Sequence, residues 1–423
     1  MSRPHAAIVV TGTELVRGDR TDRNGPFYAR EALSLGLVPE RITIVGDDPA
    51  DLEAALRSGG EAEVCLVSGG LGPTHDDRTV ELVAQVIGSS LHVDPELESH
   101  IAGVSRSIAA RLQRPYIEFA PGVAKQATVP DGAIVIGIAG TAPGLVLPAN
   151  GCVYVILPGP PNELRRLWPA VVASEPFQAV LARTERPLRR VLRFYGVSES
   201  AVARALAEAG GDGDGVEATI CARDFEIHVD LVAEPDAAAR ADALAAALRT
   251  PLERFLFSED ERPVAEIVLG LCRQAGLRLA TAESCTGGLV AARLTDIPGA
   301  SDVLSGAIVA YDNSVKTGEL GVSEALLAQY GAVSRETALA MAEGVRARLG
   351  VEVGIAVTGV AGPGGGTPDK PVGLVHYAVS TPDEARAEEF SFPTDRHTIR
   401  SRATVASLHL TRRLLARSRH EDV

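Results

Sequence analysis

Short, almost wholly apolar segments that alternate with helical ones constrain this chain more than any other feature. Residues 6–12, Ala-Ala-Ile-Val-Val-Thr-Gly, are apolar throughout and end at a loop, which is the pattern of a buried strand. The spacing predicts a helix over 26–36 closing at Gly36, a strand over 41–45, a helix over 49–57 and a strand over 63–68. Strand–helix alternation of this kind specifies a mainly parallel α/β sheet. In such sheets ligands bind beyond the C-terminal strand ends, where Gly12, Asp47 and Ser68-Gly69-Gly70 all fall. The alternation runs to about Pro169.

Residues 188–257 follow a different pattern. A strand over 190–197, a helix over 199–208, two strands within 216–232 and an alanine-rich helix over 236–255 make a small α+β unit. Residues 209–215, Ala-Gly-Gly-Asp-Gly-Asp-Gly, read as a flexible, acidic connecting loop. The charged run Glu259-Asp260-Glu261-Arg262 closed by Pro263 marks a boundary. A second α/β unit follows: helix 264–275, strand 277–282, helix 287–294, strand 303–310, helix 335–349, strands 353–357 and 372–379, and a last helix 395–418. A chain of 423 residues suits two or three domains; the boundaries expected here are 1–170, 171–258 and 259–423.

Composition narrows the function. Acidic residues outnumber basic ones, 55 to 41, and the net charge of −14 argues against a nucleic-acid surface. Backbone amides and a lysine or two can still bind a phosphate-bearing small molecule. The five cysteines are an odd set without C-x-x-C spacing, which suits reduced thiols in a cytosolic protein. The run Met1-Ser2-Arg3-Pro4-His5 lacks the shape of a signal peptide. No apolar stretch reaches ~18 residues free of Gly, Pro and charge. The expected location is the cytoplasm, with no membrane partner.

In the first unit the segment Ser68-Gly69-Gly70-Leu71-Gly72-Pro73-Thr74-His75-Asp76-Asp77-Arg78-Thr79 stands out. Its glycines leave backbone N–H groups free to face an anion. Asp76 and Asp77 offer ligands for a hard cation bridging to that anion. The same residues also suit a plain glycine turn with an aspartate capping the next helix. Asp47-Asp48 and Thr11-Gly12-Thr13-Glu14-Leu15 would converge on this edge, Glu14 as a further ligand or as a helix cap. Pro158 to Leu164 reads as a rigid loop before a helix.

In the last unit, Ala282-Glu283-Ser284-Cys285-Thr286-Gly287-Gly288-Leu289 carries an apolar strand through a Gly-Gly turn into a helix. A serine there can use the helix N-terminus to hold an oxyanion, but it needs a base. No histidine lies nearby in sequence, and Lys316 follows Tyr311-Asp312-Asn313-Ser314-Val315 further on. A Ser–Lys pair suggests amide hydrolysis, provided burial or a cation lowers the lysine from its usual pKa of about 10.4. Tyr311 or Thr286 would relay the proton or orient Ser284. The plain alternatives are a helix-capping serine and a solvated loop lysine. Cys285 is a rival nucleophile without an activating histidine, and a buried thiol is commoner. The loop Val357 to Thr367 has amides to wrap a phosphate, with Lys370 as a point charge, or is simply flexible.

Together these segments resemble the CinA family of competence/damage-inducible proteins over essentially the whole chain. The N-terminal part is similar to the MoaB/Mog-like molybdopterin-binding fold. The similarity rests on Gly12-Thr13-Glu14-Leu15, Ser68 to Thr74 with Asp76-Asp77, Lys125-Gln126-Ala127, Gly140-Thr141-Ala142-Pro143-Gly144 and Pro158-Gly159-Pro160-Pro161. The C-terminal part resembles the nicotinamide-mononucleotide deamidases (PncC-type). Here the matching residues are Ala282 to Gly288, Tyr311-Asp312-Asn313 with Lys316, Gly331-Ala332-Val333-Ser334, Thr358-Gly359 and Ala361-Gly362-Pro363.

The resemblance implies an α/β fold of two parallel or mixed-sheet domains joined by a small α+β KH-like domain, in a homodimer. It implies that the C-terminal domain hydrolyses the carboxamide of nicotinamide mononucleotide to nicotinate mononucleotide and ammonia, with no cofactor. Ser284 would be the nucleophile and Lys316 the base, with Tyr311 alongside. Thr286, Gly287, Gly288 and Asn313 would meet the substrate, as would Thr358, Gly359, Gly362, Gly364 and Lys370. For the N-terminal domain it implies metal-dependent hydrolysis of ADP-ribose to AMP and ribose 5-phosphate. Asp47, Asp77 and Glu14 would hold the divalent metal; Ser68, Gly69, Gly70, Gly72, Lys125 and Gln126 would hold the nucleotide.

Two departures bear on that second activity. Thr13 stands where many relatives have Asp in a Gly-Asp-Glu motif, and Gly122-Val123-Ala124 replaces an asparagine before Lys-Gln-Ala. The alternative is a non-catalytic regulatory module, its first domain binding a nucleotide or pterin without turnover and its last sensing nucleotide levels; the two departures leave it open for the N-terminal half. Gly210-Gly211-Asp212-Gly213 matches the Gly-x-x-Gly of RNA-clamping KH loops, yet Asp212 and Asp214 would repel a phosphate backbone. The expected partners are small-molecule nucleotides, not nucleic acid.

Overall fold

The structure, a computed structural model, describes residues 3–417. The expected end of the last helix at 418 and the first two residues of the N-terminal run lie outside the described residues. The chain divides into two compact units, Met1–Leu188 with Ala233–Asp236, and Arg189–Val232 with Ala237–Val423.

The first unit contains β1 (His5–Thr11), β2 (Val38–Val45), β3 (Val64–Ser68), a short antiparallel pair β4 (Leu91–Val93) and β5 (Thr128–Pro130), then β6 (Ile134–Ala139), β7 (Ala142–Ala149) and β8 (Cys152–Leu157). Its main sheet has the order β2-β1-β3-β8-β7-β6. The first four strands are parallel, β7 runs antiparallel to them, and β6, antiparallel to β7, returns to their direction. The apolar run of β1 is explained by burial on both faces. Ile8 and Val10 pack with Tyr28, Leu66 and Trp168, whereas Val9 packs with Leu52, Cys65 and Leu82. The unit continues past residue 170, because the helix Glu175–Leu181 sets Phe177 against Trp168 with ring centroids 5.8 Å apart.

The second unit opens with β9 (Leu188–Tyr195), β10 (Val216–Arg223), β11 (Glu226–Ala233) and β12 (Leu256–Ser258), in the order β10-β11-β9-β12. The helices Glu199–Glu208 and Ala238–Leu252 complete the small α+β part. The glycine-rich loop over 209–215 differs from the flexible connection expected. Arg240 donates to Gly210 O (3.3 Å), Gly211 O (3.1 Å) and Gly213 O (3.0 Å), so one guanidinium gathers its carbonyls.

The rest of this unit carries β13 (Leu279–Glu283), β14 (Leu304–Val309), β15 (Val353–Gly359), β16 (Leu374–Ser380) and β17 (Ala385–Ser391). The order is β14-β13-β15-β16-β17, parallel through the first three strands and antiparallel through the last two. The chain leaves β13 for β14 on one side and returns to β15 on the other. The C-terminal ends of β13 and β15 therefore form a topological switch point, where α/β sheets bind ligands. In this part the helices Asn313–Leu320 and Glu324–Tyr330, and β17, were not expected from sequence. The first is short and polar with a glycine inside, and β17 (Ala-Arg-Ala-Glu-Glu-Phe-Ser) is a half-exposed edge strand without a clean apolar run.

Candidate active site

Ser284 follows β13 directly, and its N–H donates to Val357 O (2.9 Å), which pins it to the end of β15. The chain then turns through Gly287 (φ 60°) and Gly288 (φ 98°), a left-handed path open to glycine, into the helix Leu289–Thr295. Glu283, fully buried, was not singled out from sequence. Its carboxylate accepts from Gly288 N (2.9 Å), Val290 N (3.0 Å), Ala291 N (2.9 Å) and Thr281 Oγ1 (3.1 Å). It thus satisfies the helix N-terminus with charge-assisted bonds. The helix amides expected to hold an oxyanion, Gly288 among them, face Glu283 instead. An acidic residue just ahead of a Gly-Gly helix entry is the one sequence signal for this role.

Asp312, after β14, caps the helix Asn313–Leu320 by accepting from Ser314 N (2.8 Å) and Ser314 Oγ (2.7 Å). One turn into that helix, Lys316 is 1% exposed, not the solvated loop lysine of the plain reading. Its Nζ lies 3.3 Å from Ser284 Oγ, 2.7 Å from Ala310 O and 3.3 Å from Tyr311 O. Burial lowers its pKa from the ordinary lysine value, against the opposing pull of Asp312 and Cys285. Carbonyls only accept, so these two take two N–H bonds of the amine and its remaining position faces the Ser284 hydroxyl, where the lone pair lies once the amine is neutral.

Burial pushes the Cys285 thiol up to about 12, so it stays protonated at neutral pH and is a poor rival nucleophile. His376, paired with Thr358 on the neighbouring strand, has its Nδ1 3.1 Å from Glu389 Oε2. The exposed Tyr311 accepts at its hydroxyl from Arg396 Nη2 (2.9 Å), while Arg396 Nη1 donates to Gly362 O (2.8 Å). One turn later Arg400 donates to Cys285 O (Nε, 3.0 Å) and Thr286 O (Nη2, 2.7 Å). Both arginines sit on the C-terminal helix Arg396–Arg417, and no local motif points to them.

The remaining expected residues divide. The Thr286 hydroxyl is buried with no partner among the described residues. Buried Thr358 donates to Ala332 O (2.7 Å), and a Cβ on Gly359 would meet Leu374 O at 2.8 Å. Lys370 donates to Tyr330 O. Asn313 and Gly364 are exposed. The structure therefore gathers Ser284, Lys316, Tyr311, Thr286 and Gly362 at one strand edge, and gives Gly288, Thr358, Gly359 and Lys370 partners within the protein.

In the first unit, Gly69 (φ 108°) and Gly70 (φ 64°) carry the loop after β3 close to Thr11 and Thr79. Thr79 Oγ1 donates to Gly69 O (2.8 Å), Gln126 Nε2 to Leu71 O (2.9 Å) and Lys125 Nζ to Thr74 O. Gly70, Gly72, Asp77, Lys125 and Gln126 line a cavity of about 200 Å³. A larger one, about 570 Å³, is lined by Thr11, Glu14, Arg23, Asn24 and Ser68. Asn24, missed in the sequence, donates to Ser68 Oγ (2.8 Å) and Gly159 O (2.7 Å). Asp47 accepts from Thr11 Oγ1 (3.2 Å), Thr13 N (3.0 Å) and Thr13 Oγ1 (2.6 Å), whereas Asp77 accepts from Thr74. Among the described residues no three His, Cys, Asp or Glu side chains are grouped to hold a metal ion, so Glu14, Asp47 and Asp77 do not form a ligand set in this arrangement. No described helix is long and apolar enough to cross a membrane.

Three family models match the chain: a probable molybdopterin binding domain over residues 7–177, a damage-inducible protein CinA KH domain over 189–258, and a CinA C-terminal domain over 261–415. A CinA-like protein of Mycolicibacterium gilvum (strain PYR-GCK) is 44% identical over 97% of this chain and 98% of its own length. One from Mycobacterium tuberculosis (strain ATCC 25618 / H37Rv) is 45% identical, over 97% of each chain. The crystal structure of a competence/damage inducible protein from Agrobacterium tumefaciens is 40% identical over 36% of this chain and 96% of its own, with a TM-score of 0.34. With the three family models following one another along the sequence and relatives of 44–45% identity matched over 97% of the chain, this chain belongs to the CinA family.

Proposed function

We propose that the C-terminal domain hydrolyses the carboxamide of nicotinamide mononucleotide, giving nicotinate mononucleotide and ammonia. The observation that carries this reading is the buried Lys316 amine, 3.3 Å from Ser284 Oγ and held by two carbonyls that can only accept. Neutral Lys316 takes the Ser284 proton as Oγ adds to the carboxamide carbon and the carbonyl pair moves onto oxygen. On collapse the protonated lysine gives its proton to nitrogen, the C–N bond breaks and ammonia leaves. Water then adds to the ester, passing a proton to Lys316, which returns it to the departing Ser284 oxygen.

Purified protein should release ammonia from nicotinamide mononucleotide. Ser284→Ala and Lys316→Met should each lower kcat by roughly 10³-fold or more. Lys316→Met should still bind substrate, read by calorimetry. An active Ser284→Ala protein sinks the nucleophile, and a retained rate in Lys316→Met sinks the base.

For the N-terminal domain, the separate engagement of Asp47 and Asp77 favours binding of an anionic nucleotide or pterin over metal-assisted turnover. ADP-ribose incubated with and without added divalent metal distinguishes the two, because AMP formed only with metal removes the binding-only reading.

A further inference from the structure

The turn after Ser284 leaves very few of its amides free. Ser284 N is bonded to Val357 O, Gly287 N to Ser284 O (3.0 Å) and Leu289 N to Thr286 O (3.4 Å). Glu283 takes Gly288, Val290 and Ala291. Between 284 and 291 this leaves Thr286 N without an acceptor, and Cys285 N with none but its own Sγ, among the described residues. They are the two amides immediately after the serine, where an oxyanion formed on its acyl group would lie.

Their direction is set from the far side of the peptide planes. In a trans peptide the C=O and the following N–H point opposite ways. Arg400 Nε holds Cys285 O, so the Thr286 N–H on the same plane faces away from the guanidinium. Arg400 Nη2 holds Thr286 O, so the Gly287 N–H on that plane also faces away, and it closes on Ser284 O. The plane carrying Ser284 O carries the Cys285 N–H as well. One bidentate arginine thus orients the Thr286 amide directly and the Cys285 amide through the turn. Its charge, placed behind two carbonyls, also polarises the N–H groups opposite them.

We propose that Arg400 is the positioning residue of this site: from the C-terminal helix it sets the Cys285 and Thr286 amides as the donors that hold the oxyanion on the acylated Ser284. The proposal rests on the Ser284 hydrolase reading above. Arg400 touches neither substrate nor Ser284; it acts through the two carbonyls. The buried, unpartnered Thr286 hydroxyl lies on the same residue as one donor.

The test uses the full-length protein and two readouts: ammonia release from nicotinamide mononucleotide, and the rate at which an alkyl fluorophosphonate labels Ser284, located by peptide mass spectrometry. Arg400→Ala should lower kcat about 100-fold, the scale of losing one oxyanion donor, with KM within about threefold of wild type. Labelling should slow by a similar factor, and added guanidinium ion should restore part of both rates in this variant alone. Should Arg400→Ala fail to fold, Arg400→Lys carries the test. It keeps the charge but not the fork, and should lose about tenfold in kcat at unchanged KM and melting temperature. A kcat within threefold of wild type, or a loss confined to KM, overturns the proposal while leaving the hydrolase reading standing. Wild-type protein that labels at Ser284 in an Arg400-dependent way but releases no ammonia keeps the proposal and sinks the substrate. Absence of labelling at wild-type Ser284 overturns both.

Discussion

Between Ala310 O and Tyr311 O the Lys316 amine meets two acceptors and one hydroxyl, and its burial disfavours the charged form. The folded pKa lies below the ordinary lysine value of 10.5, so the neutral amine is populated at a lower pH than on a surface lysine. Ammonia release should therefore rise with pH along a limb centred below 10.5, read as kcat/KM against pH. A limb centred at or above 10.5 would remove this lysine as the base. Folding is linked in the same direction. The stability this group permits is complete above 10.5 and declines as pH falls toward its folded pKa. At this scale Ser284 and Lys316 were legible, because a serine at a glycine-rich turn and an unpaired lysine are unusual locally. Glu283, Arg396 and Arg400 were not, since their partners are N–H and C=O groups that every residue carries.

The helix Asn313–Leu320 shows how one element holds a reactive group. Asp312 caps it and, being charged, also raises the pKa of Lys316 one turn away. Two variants separate these roles. Asp312→Asn keeps a good N-cap and removes the charge, so the pH limb should move lower with the urea midpoint little changed. Asp312→Ala should lower the urea midpoint as the first turn frays. An unmoved pH limb in Asp312→Asn would rule out the electrostatic role. This helix was illegible because it is short, polar and interrupted by Gly318, and β17 because it is a polar edge strand. The interior strands were legible because two-sided burial writes a continuous apolar run.

At the scale of the second unit, the C-terminal helix packs against the small sheet through a buried polar centre. His409 stacks on Tyr195 (ring centroids 3.8 Å), meets Phe257 edge-on (4.7 Å) and bonds Glu226 Oε1 (2.8 Å), while His228 bonds Glu226 Oε2 (3.1 Å). Arg412 and Arg413 lie beside it on the helix. Burial lowers the His409 pKa to about 4, overriding the pull of Glu226 and helped by both arginines. Burial alone would raise Glu226, but its bonds to the two histidines bring it below the ordinary value. Both shifts are depressions, so the stability they contribute is present near neutrality and lost with acid. The His409 part is full above 6.5 and falls away toward 4, on the order of 3 kcal/mol. In urea denaturation wild type should lose more stability between about pH 7.5 and 5 than His409→Phe, which keeps the stacking and cannot titrate; equal losses would exclude this centre. By itself the sequence determined the alternating elements of the interior strands, the strand-end edges and the serine and lysine as candidates, because apolar periodicity and glycine turns are local properties of a chain. Only the tertiary structure decided that Lys316 is buried, that Glu283 occupies the helix terminus, and that Arg400 and His409 reach across the second unit. Those outcomes depend on burial and on which backbone groups are left unpaired, and neither exists until distant segments pack.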